Sequence, residues 1–382
     1  MKKRVFVGLS GGVDSAVSAA LLKKEGCDVT GVFIKAWTPP YKGYPCIWKE
    51  DRRSAMKAAA VLDIPFITLD LEKEYKKEVV DYMITEYKKG RTPNPDVMCN
   101  KEIKFGHFLK FALANGAQYV ATGHYARKSS PPTGVPTKLG VAETPLSLAR
   151  RGGLGGEVVL LEGADKNKDQ SYFLWTITQN QLKHILFPIG HLQKSEVRKL
   201  AEKFGLPQAT RKDSHGLCFL GQINMKEFLK KHIGTKKGSV LNKDEGKIGE
   251  HEGAILYTMG ERHGFYVNNK KTRSEPLYVI SKNLNKNTIT VAPKITPHPK
   301  LTMTAIVSLN WILDKIPDQN KEYSCRVRYR QEKQKCKIKI GKNRLKVIFD
   351  KPQFSISPGQ SLVVYDNEEC LGGGIIDSTS SL

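Results

Sequence analysis

The chain has 382 residues, more than one hydrophobic core usually serves, so two or three domains are expected. Hydrophobic residues make up 40% and charged residues 26%, which excludes a disordered chain. Lys and Arg number 62 against 38 Asp and Glu, and the formal charge of +24 favours a polyanionic partner, either nucleic acid or an anionic membrane surface.

The chain opens MKKRVFVGLSGGVDS, but its apolar stretch is too short for a signal peptide, and no later run approaches the ~18 apolar residues of a membrane span. A cytoplasmic protein with no membrane association is the expectation. Residues 4–9 read as a short apolar strand, and 14–24 as a helix with Ala16, Val17, Ala20 and Leu21 along one side. Residues 28–34 and 64–71 read as strands, and 52–62 and 72–88 as helices. A helix at 103–115 and a strand at 118–122 follow. Such alternation predicts an α/β domain with a parallel sheet covered on both faces. Residues 128–158, rich in Pro, Gly and Ser, read as a surface insertion. Helical patterns return at 171–178 and 194–204. Beyond about residue 223 short strand-like runs take over (277–281, 288–292, 304–309, 324–330, 335–340, 344–349, 361–365), predicting a small β-barrel or sandwich.

The first strand runs straight into Ser10-Gly11-Gly12-Val13-Asp14-Ser15 and then a helix. Two glycines allow a tight turn and close backbone approach to a ligand, and the helix N-terminus offers unpaired N–H groups to an anion. Ser10 and Ser15 add hydroxyls, and Asp14 can cap the helix or help hold Mg²⁺. Neither GxxxxGK[ST] nor GxGxxG is present.

Seven cysteines occur, at 27, 46, 99, 218, 325, 336 and 370, with no CxxC pair, which excludes a zinc knuckle and a secreted disulfide scaffold. Two lie in unusual strings. RTPNPDVMCN (91–100) reads as a proline-stiffened loop, with Asp96 three residues before Cys99 so that one helical turn would bring them together. There a carboxylate could move the thiol proton, with Lys101 and Lys104 favouring thiolate. KDSHGLCFLG (212–221) places Cys218 in a Gly-bounded loop. Behind an anion-binding loop, two such thiols suggest thiol chemistry on a bound substrate, and burial as small hydrophobes is the alternative.

SGGVDS resembles the phosphate loop of the PP-loop ATP pyrophosphatase superfamily, Rossmann-like enzymes that split ATP between the α and β phosphates. Together with GRTPNPDVMCNKEIKF, ATGHYAR, DKNKDQSYFLW, KDSHGLCFLG, VRYRQ and PGQSLVVYDNEECLGGGII, in this order, it makes the chain similar to the tRNA-specific 2-thiouridylase family over nearly its whole length. The resemblance implies a PP-loop catalytic domain at 1–222, a central tRNA-binding domain at 223–298 and a C-terminal β-barrel at 299–382. It implies ATP-dependent adenylation of O2 of the wobble uridine and replacement of that oxygen by persulfide sulfur, giving 2-thiouridine, AMP and pyrophosphate. Gly8, Leu9, Ser10, Gly11, Gly12, Val13, Asp14, Ser15, Ile34 and Gly123 would bind ATP, with Ile34 standing where many relatives have Met. Cys218 would carry the persulfide, Cys99 would be the nucleophile and close a transient disulfide with Cys218, and Asp96 would be the acid/base. Asn94, Pro95 and Asp96 would surround the target base. His124, Lys168, Asp169, Gln170, Arg328, Tyr329 and Gln360 match tRNA-contacting positions.

The implied partners are ATP, Mg²⁺, wobble-uridine tRNAs accepting Lys, Glu or Gln, and a cysteine desulfurase or sulfur carrier; a monomer is the expectation. The chain's own charge agrees, since residues 321–351 hold 12 Lys or Arg and 3 Asp or Glu, with Tyr323 and Tyr329 interleaved. The segment 38–50 departs from the family and adds Cys46, which leaves open an iron–sulfur cluster on Cys46, Cys99 and Cys218. GERHGFYV (260–267) also departs from a more Gly-rich version, and Arg150 and Arg151 of the insertion could touch RNA. Three other readings compete. They are a lysidine synthetase, which needs no thiols; a small-molecule ligase of the argininosuccinate synthase kind, which needs no basic C-terminal module; and a non-catalytic RNA-binding protein, which would release no AMP.

Overall fold

A computed structural model describes residues 2–38, 47–129, 157–212, 224–268, 275–293, 303–341, 344–353 and 356–380. Strand β1 (Arg4–Gly8) leads through the glycine loop into helix α1 (Val13–Lys24), and β2 (Asp28–Lys35), helix α2 (Ile47–Val61) and β3 (Phe66–Asp70) follow. After two long helices come β4 (Tyr119–Ala121), a hairpin of β5 (Ala126–Ser129) and β6 (Val159–Glu162), and β7 (Ile185–Leu186). Strands β3-β2-β1-β4-β7 form one parallel sheet, with Val5 paired to Val29 on one side and to Tyr119 on the other.

Alternation along β1 explains why both faces are covered. Val5 and Val7 join a core with Ala16, Val17 and Ala20 of α1 and Ala58 of α2. Phe6 points the other way, into a core with Val79, Met83, Ile103 and Phe108 of the two long helices. Those helices span 72–88 and 95–114, and each has a central stretch (Lys76–Asp81 and Cys99–Phe108) wound as a π-helix. The second begins earlier than the sequence pattern indicates. Asn94 caps it by accepting from the Val97 N–H at 3.3 Å, and Pro95 stands at the first helical position, where a missing N–H costs nothing. Pro95, Asp96 and Cys99 are therefore helical residues, not members of a proline-stiffened loop. The expected helix at 171–178 is a single 3₁₀ turn, Ser171–Phe173.

A second sheet, in the order β10-β9-β8-β12-β11, comprises β8 (Gly238–Leu241), β9 (Lys247–His251), β10 (Phe265–Val267), β11 (Tyr278–Asn283) and β12 (Thr288–Ala292). The last six strands are β13 (Met303–Trp311), β14 (Tyr323–Arg326), β15 (Gln334–Ile340), β16 (Leu345–Phe349), β17 (Ser361–Asp366) and β18 (Glu369–Ser380). They close into an antiparallel barrel because β13 pairs with both β16 and β18. Its interior holds Cys325, Cys336, Ile338, Val347 and Leu362.

The barrel is joined to the first domain by continuous pairing, since β6 adds to β18 with Cys370 opposite Leu160. Beside this seam lies a buried charge cluster. Asp169, 2% exposed, accepts from Arg326 Nη1 at 2.7 Å, and Glu162 pairs with Arg326 at 3.0 Å and with Lys333 at 3.0 Å. Tyr172 Oη donates to the Ser361 carbonyl at 2.9 Å, and Trp175 Nε1 donates to Ser361 Oγ at 3.0 Å. The first domain is thus bonded across the seam to β14, β17 and β18.

Candidate active site

The strand order reverses between β1 and β4, and in open parallel sheets ligands bind outside the carboxyl ends of the strands at such a switch point. The glycine loop leaves β1 there, and Gly123 follows β4 there. Gly11 adopts φ +82°, and a Cβ on it would sit 2.4 Å from the Asp51 carbonyl oxygen, so no other residue fits. Ser15 Oγ accepts from the Ser10 N–H at 3.1 Å and donates to the Gly12 carbonyl at 3.1 Å, fixing the turn. A Cβ on Gly123 would lie 2.7 Å from the Ser15 nitrogen, so the β4 loop closes directly against the helix N-terminus.

Four side chains outside the motif bond this loop, and two more, Asp51 and Gln208, bond two of those four. Asp14 receives Lys194 Nζ at 2.7 and 2.8 Å and Tyr125 Oη at 2.8 Å. Arg211 donates from Nη1 to the Gly11 carbonyl at 2.8 Å and pairs through Nη2 with Asp51 at 2.5 Å. Ser54 Oγ donates to the same carbonyl at 2.8 Å and receives Gln208 Nε2 at 3.1 Å. The helix N-terminus offers N–H groups suited to a phosphate, and beside it stand Lys194 and Arg211, each paired with a carboxylate. Sequence reasoning missed Tyr125, Lys194, Gln208, Arg211 and Ser54 because each lies far along the chain from the loop; only folding brings them to it.

The expected nucleotide residues divide by orientation. Leu9, Val13 and Ile34 are buried in the cores, so Leu9 and Val13 offer a ligand their backbone. Ile34 lies in β2 beside Leu69, packed among Phe6, Val32 and Ala36. Gly8 faces Phe108, whose ring would be 3.5 Å from a Cβ placed there.

The helix at 95–114 spans the distance from this site to the barrel. Phe108 lies against Gly8, Lys104 Nζ donates to His124 Nε2 at 3.4 Å, and Phe105 packs on the same imidazole at 5.9 Å. Cys99 lies five residues before Lys104 on the same helix and is fully buried. Asp96 is half-buried. His124 is buried, with Nδ1 2.7 Å from Thr122 Oγ1; burial, and then Lys104, holds its pKa well below the usual histidine range, so it is neutral near pH 7. As a neutral imidazole accepting from Lys104, it donates through Nδ1.

Connecting segments of the second sheet and of the barrel meet at the loop before this helix. The Thr92 N–H donates to the Pro358 carbonyl at 2.8 Å, and Gln360 Nε2 donates to the carbonyls of Thr92 at 3.0 Å and Pro93 at 3.2 Å. Thr92 and Thr258 hydroxyls are 3.1 Å apart. Arg328 Nη2 reaches the Met259 carbonyl at 2.6 Å, and Tyr329 stacks on Phe173 with centroids 4.4 Å apart. Gln170 clamps Tyr125 through its backbone and side chain. Asn94, Arg328, Tyr329 and Gln360 thus surround one seam. Asp169 is enclosed in the charge cluster, and Lys168, in the turn before it, is half-buried. Tyr323 is buried.

Cys46, Cys218 and residues 130–156, with Arg150 and Arg151, lie outside the described residues, so neither the Cys99–Cys218 pairing nor the three-cysteine cluster has a geometry here. Within the insertion expected at 128–158, Lys128 and Ser129 belong to β5 and Val158 is buried. Cys27, Cys325, Cys336 and Cys370 are buried hydrophobes; burial pushes the Cys27 thiol up to about 11 and that of Cys370 higher. No group of three His, Cys, Asp or Glu among the described residues could hold a metal ion, and no helix among them is long and apolar enough to cross a membrane.

A parallel sheet with a glycine loop at its switch point defines a nucleotide-binding α/β domain, here carrying two β domains behind it. The family model described as tRNA methyl transferase HUP domain matches residues 3–222, the tRNA methyl transferase PRC-barrel domain matches 226–293, and the aminomethyltransferase beta-barrel domain matches 302–376. The chain is 43% identical over 98% of its length, and 95% of the relative's, to the tRNA-specific 2-thiouridylase MnmA of Streptococcus thermophilus. It is 42% identical to that of Streptococcus mutans, over 99% of this chain and 96% of the other. The chain belongs to the tRNA-specific 2-thiouridylase family. Among solved structures, the U34-tRNA thiolase NcsA from Methanococcus maripaludis aligns with 61% of this chain and 69% of its own at 16% identity and TM-score 0.33, too weak a likeness to bear on the fold.

Proposed function

We propose that this chain thiolates the wobble uridine of tRNA at position 2, in two steps at one site. The observation that supports this most is that a single helix carries Cys99 near one end and Phe108, against the phosphate-loop strand, further along.

In the first step the glycine loop, Lys194 and Arg211 hold the triphosphate of ATP, and the uridine O2 attacks the α-phosphorus. Pyrophosphate leaves, and the poor leaving oxygen becomes an adenylate. Mg²⁺, which typically takes one or two carboxylates and completes its shell with phosphate and water, would neutralise the leaving pyrophosphate; Asp14 would join that shell only by releasing Lys194 and Tyr125.

In the second step the terminal sulfur of a Cys218 persulfide attacks C2 and AMP departs. The Cys99 thiolate then attacks the Cys218 sulfur, releasing the thiolated base and leaving a Cys99–Cys218 disulfide that an external thiol reduces. Asp96, one helical turn from Cys99, takes up the proton that Cys99 gives up. Because Cys99 is buried, the reaction requires the side chains over it to move when RNA binds. A wobble base lies in a single-stranded loop and can be splayed out and enclosed.

The substrates are wobble-uridine tRNAs, with Lys-, Glu- and Gln-accepting tRNAs expected, and a cysteine desulfurase or carrier protein loads Cys218 in the cytoplasm. The test is tRNA-dependent release of pyrophosphate and AMP from ATP. The expected result is release with tRNA and little without it; release unaffected by tRNA would overturn the reading.

A further inference from the structure

We propose that the β15–β16 hairpin of the barrel is a second tRNA-backbone surface, separate from the seam around the active site. It rests on the tRNA reading above and adds where the body of the RNA lies.

Along β15 the side chains alternate, with Cys336 and Ile338 inside the barrel and Lys335, Lys337 and Lys339 exposed outside. Lys346 stands exposed on β16 directly opposite Lys339, and Arg344 is exposed at the start of that strand. From 333 to 349 the sequence holds seven Lys or Arg and no Asp or Glu. Like charges directly opposite across an antiparallel pair destabilise a sheet. Elsewhere in this barrel several cations are matched: Lys321 pairs with Asp366, Lys333 with Glu162, and Arg326 with Asp169 and Glu162. On the hairpin only Lys335 has a carboxylate, Glu322 at 3.2 Å; among the described residues Lys337, Lys339 and Lys346 have none.

Position separates this surface from the seam. Around the six-stranded ring β15 lies across from β18, which carries the pairing to the first domain, and β16 lies across from β17, which carries Ser361 and Gln360's neighbourhood. The exposed lysines stand in a row about 6.7 Å apart, twice the rise per residue of a strand. Such a row tracks a line of phosphates. A protein partner fits less well, because protein interfaces are poor in lysine and centre on aromatic anchors, and every outward residue of β15 from 335 to 339 is lysine.

The test compares wild type with Lys337→Ala/Lys339→Ala/Lys346→Ala and the matching triple Arg variant, measuring tRNA affinity across a salt series. Three lost phosphate contacts lower the log–log salt slope by about 2 in the Ala variant, and Arg retains it. ATP KM and turnover at saturating tRNA stay at wild-type values, and unfolding shows the barrel intact. An unchanged slope in a folded Ala variant overturns the inference alone. Wild type that binds no tRNA overturns the functional reading and this inference with it.

Discussion

Replacing Asp169 separates two roles for one residue. By family resemblance it sits at an RNA-contacting position, whereas its carboxylate here is enclosed, with Oδ1 accepting the Gly163 N–H at 2.9 Å and the Ser171 N–H at 3.1 Å, and Oδ2 accepting Ser171 Oγ at 3.0 Å and Arg326 Nη1 at 2.7 Å. Asp169→Ala leaves two buried N–H groups without an acceptor and takes from Arg326 one of its two carboxylates. Breaking a buried ion pair on one side costs about 3–5 kcal/mol. Asp169→Asn keeps an acceptor for the N–H groups and removes the charge, so its cost is about 1–3 kcal/mol. Trp175, buried at the same seam and bonded to Ser361, reports unfolding by fluorescence in urea. The expected order of midpoints is wild type, then Asn, then Ala, with tRNA affinity of the folded Asn variant within about twofold of wild type. An Asn variant of unchanged stability and sharply weakened RNA binding would refute the reasoning.

Gly11→Ala forces a Cβ into the Asp51 carbonyl at positive φ, so ATP KM should rise at least about tenfold while the rest of the fold survives, measured by ATP titration of pyrophosphate release. Lys194→Met strands the Asp14 carboxylate and removes a phosphate cation; turnover should fall about 10²-fold with tRNA affinity unchanged, and equal turnover would remove Lys194 from the site. Because His124 has a folded pKa well below its unfolded value near 6.5, the unfolded state binds the extra proton between those values. Stability is therefore full above about pH 6.5 and falls on acidification, by at most about 1.4 kcal/mol per pH unit from this residue. His124→Gln should flatten part of that slope in urea titrations at pH 5 to 7.

The parallel sheet was legible because its strands are short apolar runs alternating with helical spacing, and the last barrel because period-two strands are separated by turns. Strand β18 was not, since Gly372, Gly373 and Gly374 interrupt its apolar pattern; in the barrel they admit the close approach of β13 and β17, where a Cβ on Gly373 would lie 2.1 Å from the Leu362 carbonyl. The central strands β8, β9 and β10 went unread because they are three to five residues long and rich in Lys, Gly and polar residues. Pro93 and Pro95 suggested a loop, but a proline is equally at home as the first residue of a helix, and Asn94 decides the matter by capping it. The glycine loop itself was plain from SGGVDS. Its support by Lys194 and Arg211, and the pairing of β6 with β18, join residues some two hundred apart, which no local pattern encodes.

The central claim is tested most directly by incubating the full chain with ATP, Mg²⁺, a persulfide-loading desulfurase and unmodified tRNA, then measuring nucleosides by mass spectrometry. The account predicts one sulfur-for-oxygen exchange at the wobble uridine, abolished by Cys218→Ala while tRNA-dependent pyrophosphate release persists. Thiolation that survives Cys218→Ala and Cys99→Ala together, or folded wild type that binds tRNA and ATP and yields neither AMP nor thiouridine, would contradict it.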